Sequence, residues 1–321
     1  MAPTTAPAQG KRKIIIDTDP GQDDAAAIMM AFGSPDELDV LGLCAVAGNV
    51  PLSYTSRNLR IVCELCGKPD APVYEGALKP LFRPQVTAEH VHGKTGLDGA
   101  ELPEPVMTAR EKHAVDFIIE TLMTEPEGTV TLCTLGPLTN IATALEREPR
   151  IAPRVKELVM MGGGFFEGGN ITPAAEFNIY VDPHAAKQVF ASGIPIVMMP
   201  LDVTHQLLTT KSRVEKIAAL GTRPGDVLVE WLAFFERFDI EKYGSDGGPL
   251  HDPSVIAYLL KPELFKGRHC NVEIEVDSSL TVGMTVVDWW GVTDRKPNAT
   301  VMRKVDADGF FALLTERVGR L

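Results

Sequence analysis

Four carboxylates fall within eight residues near the start of the chain: Asp17, Asp19, Asp23 and Asp24, in IIIDTDPGQDDAAAI at 14–28. Asp17 and Asp19 lie two apart at the end of an apolar run, so on a strand both side chains leave one face. Pro20 and Gly21 turn the chain. Asp23 and Asp24 then open a helical pattern, where the terminal N–H dipoles favour anions. Helix capping explains one acid at such a place, but not four around a P-G turn. Their mutual repulsion is costly unless protons or a cation offset it. Oxygen donors alone select a hard ion, Ca²⁺ or Mg²⁺. The carboxyl end of a strand in an open α/β sheet is also where ligands bind.

The elements that must position these acids follow from the hydrophobic pattern. Apolar strand runs at 13–16, 40–46, 130–134, 158–161 and 196–199, with a short one at 72–74, alternate with helical patterns at 23–32, 54–66, 113–123, 138–146 and 185–191. Such alternation predicts an α/β fold: a Rossmann-like open sheet, mainly parallel, with helices on both faces and the site at the C-terminal ends of the strands. Later come helices at 227–238, 254–260 and 310–318, and an antiparallel pair at 272–276 and 281–287. No linker divides the chain, so 13–321 is read as one domain behind a disordered leader, 1–12. The long irregular stretches 77–105 and 162–175 are of a length that loops commonly reach for function.

Composition narrows the function classes. The 321 residues are 45% hydrophobic, enough for a large core, and carry a formal charge of −12. That charge repels phosphate backbones and argues against a nucleic-acid partner, but not against an uncharged small molecule. No segment offers the ~18 consecutive apolar residues of a membrane span. The five Cys residues sit mostly in apolar surroundings and read as reduced core residues of a cytoplasmic protein. Cys63 and Cys66 form a C-x-x-C, three apart on one helix, without the further ligands a zinc site needs.

The stretch DTDPGQDD at 17–24 resembles the N-terminal signature of the nucleoside hydrolase family. AGN at 47–49, HGKTGLDG at 92–99, LGPLTNIA at 135–142, GGNITPAAEFN at 168–178 and HDP at 251–253 follow in that family's order. The likeness spans roughly 13–260; the last sixty residues add no motif.

The resemblance implies one Ca²⁺ per subunit, held by Asp19, Asp24, Asp252 and the main-chain carbonyl of Leu135. It implies a calcium-bound water as nucleophile, with Asp23 as the general base and Asp17 positioning the ligands by hydrogen bonds. Asn49, Asn170, Glu176 and Asn178 would bind the ribose hydroxyls; extended backbone at AEFN would aim Glu176 and Asn178 to one face with Phe177 turned away. His92 would bind substrate from a mobile flap over the sugar, and His251 would protonate the leaving base. Activity would be hydrolysis of ribonucleosides to nucleobase and ribose, in salvage, by a cytoplasmic homodimer or homotetramer. His113, His184, His205 and His269 read as structural; His90 is undecided.

Two other readings fit parts of the pattern. A haloacid-dehalogenase-like, Mg²⁺-dependent phosphatase would use Asp17 as nucleophile and Asp19 as acid, although Pro20 is foreign to that pattern. A non-enzymatic nucleoside- or sugar-binding protein would need neither Asp23 nor His251. Base preference is not legible; it would be set near 231–243, where Phe234, Phe235, Phe238 and Tyr243 are available to stack on a base, and by the loop 77–102.

Overall fold

The computed structural model describes residues 10–243 and 246–321, with backbone alone at 238, 239, 242 and 243. Nine strands form one sheet: β1 Arg12–Thr18, β2 Leu38–Ala45, β3 Val73–Glu75, β4 Val130–Thr134, β5 Val155–Met161, β6 Ile196–Met199, β7 Phe265–Ile274, β8 Thr285–Asp288 and β9 Ala299–Val305. Their order is β3-β2-β1-β4-β5-β6-β9-β7-β8. Pairing is parallel from β3 through to β9, and antiparallel at β9–β7 and β7–β8.

β1 shows why the sheet is covered on both faces. Ile14 and Ile16 pack into one apolar cluster and Ile15 into the other, as the two-residue strand period requires. The first cluster takes residues from helices Gln22–Phe32, Leu52–Leu65, Pro253–Leu260 and Ala307–Val318; the second takes them from Ala114–Thr124, Thr139–Arg147 and Pro183–Phe190. Helix Gln22–Phe32 is unusual in that all eleven of its residues are buried. Ala25, Ala26 and Ala27 give it a slim surface, and a helix apolar on every side belongs inside a fold. All five Cys side chains are buried and free, Cys63 within Leu52–Leu65 and Cys66 just beyond it.

Strand order reverses between β1 and β4. The crevice beyond the carboxyl ends at such a reversal is the favoured ligand position in open α/β sheets. The loops after β1, β2, β4, β5 and β6 all emerge there.

The C-terminal part of the sheet departs from expectation. The C-terminal hairpin is present, with Val272 opposite Val287, but the strand β9 was not anticipated. It inserts between β6 and β7, and its second half carries the exposed Lys304 between the partly covered Arg303 and Val305, which blurs the apolar pattern. The expected leader 1–12 lies outside the described residues up to 9, and β1 already begins at Arg12. Among the described residues, no helix is long and apolar enough to cross a membrane.

Candidate active site

The Pro20–Gly21 turn delivers the acids from β1 into the first turn of helix Gln22–Phe32. Asp24 closes that turn: one carboxylate oxygen accepts from Gly21 N at 2.9 Å and the other from the Thr18 hydroxyl. Asp252, just before helix Pro253–Leu260, meets the pair from the other side. Asp23, Asp24 and Asp252 are buried and offer oxygens within 4.8 Å of one another. Asp19 stands beside them. Its Oδ2 accepts from Asn49 N at 2.7 Å, while its buried Oδ1 has no protein partner. Gly136 is required there, because a Cβ at that position would come within 2.2 Å of Asp19 Oδ1.

Burial disfavours every one of these charges. It pushes Asp23 up to about 8, helped by the Asp24 charge, and lifts Asp24 against the Thr18 and Gly21 hydrogen bonds. Asp19 and Asp252 are held well above the ordinary carboxylate range by burial first and by the neighbouring acids second. A cluster with this much uncompensated charge and an unpartnered oxygen fits a hard cation at Asp19, Asp24 and Asp252. The Leu135 carbonyl edges the same space and already accepts from Asn178 Nδ2 at 2.7 Å.

Above this floor is a cavity of about 450 Å³, of a size for a small organic ligand. Asp23, Asn49, His92, Leu135, Asn170, Glu176, Asn178, His251 and Asp252 all line it. Asp19 and Asp24 lie beneath, and Asp17 is elsewhere. The Asp17 carboxylate accepts from Asn140 Nδ2 at 2.7 Å and is raised to about 7 by burial. Asn140 in turn accepts from Ala77 N, so the Asp17 side chain is linked to the loop at 77, while its main-chain carbonyl accepts from Leu135 N at 2.8 Å. A buried Asp17 outside the cavity also cannot serve as a phosphatase nucleophile.

AEFN is not extended. Glu176 caps the short helix Phe177–Val181, accepting from Asn178 N and Ile179 N, and it also accepts from Gly163 N. Asn178 therefore reaches the cavity from a helix, and Phe177 lines the cavity instead of turning away. Despite three N–H donors, burial holds Glu176 up at about 7. Asn170 fixes the preceding loop by accepting from Phe177 N at 2.9 Å.

The segment 88–99 is hydrogen-bonded to Gln22 and Asn58. Gln22 Nε2 donates to His92 O and Asp98 O, and Asn58 Nδ2 donates to Thr95 O and Pro20 O. His92 and His251 are both pushed down to about 3, chiefly by burial. His251 Nδ1 lies 2.7 Å from the Thr204 hydroxyl, and its ring faces Phe235 edge-on.

Several lining residues escaped the sequence reading. His205, read as structural, lines the cavity and meets Glu167 at 3.3 Å; His90 lines it too. Phe235 is in the wall, whereas the Phe238 and Tyr243 side chains lie outside the described residues. His113 caps helix Ala114–Thr124, His184 packs on Phe82, and His269 meets Thr300. The glycine-rich loop after β5 wraps the Asp202 carboxylate, which accepts from Phe165, Phe166 and Glu167 N. Among the described lining residues none is Lys or Arg, so the cavity suits an uncharged polar ligand over a phosphorylated one.

The chain matches the model of the inosine-uridine preferring nucleoside hydrolases over residues 14–312. It is 47% identical over 306 residues to the pyrimidine-specific ribonucleoside hydrolase RihA of Escherichia coli, covering 95% of this chain and 97% of that one. An uncharacterized protein of Schizosaccharomyces pombe is 56% identical over 309 residues, 96% of this chain and 99% of the other. Among solved structures, a purine-preferring ribonucleoside hydrolase from Gardnerella vaginalis superposes with a TM-score of 0.89 at 31% identity, covering 96% and 98% of the two chains.

Proposed function

Because the chain belongs to the inosine-uridine preferring nucleoside hydrolase family and is a hydrolase acting on ribonucleosides, we propose that it cleaves the N-glycosidic bond with Asp23 as general base, His251 as donor to the leaving base, and Ca²⁺ as its metal. The observation that carries this reading is the buried group Asp23, Asp24 and Asp252 on the floor of a cavity walled by amides.

Asp19, Asp24, Asp252 and the Leu135 carbonyl would hold the cation. When bound, it supplies counter-charge to these acids and acidifies the attacking water. Asp23 borders both the metal ligands and the cavity, so it takes the proton from that water. Asn49, Asn170, Glu176 and Asn178 bind the ribose hydroxyls, and the carboxylates favour the positive charge that builds on the sugar as the bond breaks. Neutral His251 offers one N–H. In the tautomer in which the Thr204 hydroxyl donates to Nδ1, that N–H is on Nε2, where it can bond the departing base.

We take pyrimidine nucleosides as the preferred substrates, on the 47% identity to a relative named pyrimidine-specific against 31% to one named purine-preferring. The same reading includes a cytoplasmic homodimer or homotetramer. The test is direct: a chelated sample, checked by elemental analysis, should lose uridine hydrolysis and regain it with Ca²⁺, and uracil release should outpace hypoxanthine release from inosine. Full activity without metal would remove calcium from the reading, and faster inosine hydrolysis would reverse the base preference.

A further inference from the structure

Gln22 lies between Gly21 and Asp23 in DTDPGQDD and is fully buried. Its amide can be oriented from its partners alone. One end lies 3.1 Å from His92 O and 2.9 Å from Asp98 O, and carbonyl oxygens only accept. That end is therefore the NH₂ group. The other end, Oε1, lies 2.7 Å from His92 Nδ1 and can only accept, so Nδ1 carries the proton. The ring is boxed in further. A Cβ on Gly21 would come within 2.4 Å of His92 Nδ1, and Phe235 lies 5.5 Å away on the ring. Nothing among the described residues bonds Nε2, and His92 borders the cavity.

We propose that Gln22 is a positioning residue that fixes His92 in the Nδ1–H tautomer, so that a bare Nε2 accepts a hydrogen bond from an N–H or O–H donor of the bound nucleoside. Burial, with His90 nearby, keeps the ring neutral and so keeps Nε2 free of a second proton. The contrast with His251 is chemical. Its partner is the Thr204 hydroxyl, which can donate or accept and so imposes no tautomer. An oriented amide oxygen does impose one. The two histidines thus differ in kind: His251 can present a proton, and His92 is built to receive one in a hydrogen bond. The donor would be the lactam N–H or amino group of the base, or the ribose 5′-hydroxyl.

The proposal rests on the ribonucleoside reading of this cavity, and two measurements separate their fates. Long-range ¹H–¹⁵N NMR of the full-length, calcium-loaded protein with labelled histidine reads the tautomer without any turnover. The His92 signals, identified by their loss in His92→Phe, should show a protonated Nδ1 and an unprotonated Nε2, and Gln22→Met should let a proton appear on Nε2. Kinetics with uridine, 5′-deoxyuridine and 3-methyluridine then find the donor. One analogue should raise KM about tenfold in the native enzyme, the worth of one hydrogen bond, and cause no further loss in His92→Phe. Coupling to 3-methyluridine identifies the base as donor, and coupling to 5′-deoxyuridine identifies the sugar. A native Nε2–H, or analogue penalties that are the same in native enzyme and His92→Phe, would overturn the proposal. If the protein hydrolysed no ribonucleoside while the tautomer stood as described, the functional reading would fail and the Gln22 lock would not.

Discussion

Asp23 and His251 stand at opposite needs of the proposed reaction, one accepting a proton and one donating a hydrogen bond. Asp23→Asn should lower kcat about 100-fold or more, the usual worth of a positioned base. KM should stay near native, because Asp19, Asp24 and Asp252 remain; a near-native kcat would show the base to be misassigned. His251→Ala should reduce kcat for uridine by about the same factor, yet leave p-nitrophenyl riboside within about threefold, since nitrophenolate departs without a proton. Equal losses on both substrates would instead point to damage at the adjoining Asp252. These two side chains were legible in the sequence because each lies within a short motif. Gln22, Thr204 and His205 were not, because their partners His92, His251 and Glu167 lie 70, 47 and 38 residues away. AEFN gave the correct cavity residues through the wrong backbone, as nothing in four letters revealed that Glu176 would cap a helix.

At the scale of elements, the loop after β5 depends on one buried side chain. Asp202→Ala would leave the N–H groups of Phe165, Phe166 and Glu167 without their carboxylate. The expected cost is about 2–3 kcal/mol of stability, from hydrogen bonds to a charged acceptor. KM should rise as well, since Glu167, Gly169 and Asn170 on this loop line the cavity. Calorimetry and steady-state kinetics on one preparation check both, and an unchanged KM would detach the loop from substrate binding. The loop's length was readable as a sign of function, but its fastener was not, because Asp202 arrives from beyond β6. The parallel strands β1, β4, β5 and β6 were legible because strands covered on both faces carry short, nearly continuous apolar runs. β9 was missed because Arg303 and the exposed Lys304 interrupt its apolar pattern.

The whole molecule folds around acids that it holds above their ordinary range. Burial raises Asp17 and Glu176 to about 7 and Asp23 to about 8. A carboxyl with a raised folded-state pKa favours the folded state while protonated, and this contribution is lost as pH rises from its unfolded value, near 4, through the folded one. Metal-free protein should therefore lose Tm as pH rises from about 4 to about 8. Calcium binds the ionised acids, so the Tm gain on adding it should widen over that window. A constant gain between pH 5 and pH 8 would contradict the account. Helix Gln22–Phe32 carries the same economy of space into heredity. Its first turn supplies the site and the remainder is core, and all eleven of its residues are buried. It has no neutral position at which variation could accumulate unseen, so a library randomised across it should yield few folded members. Helix Lys211–Ala218, with only Ile217 buried, should accept most substitutions and is the place to graft labels or tags.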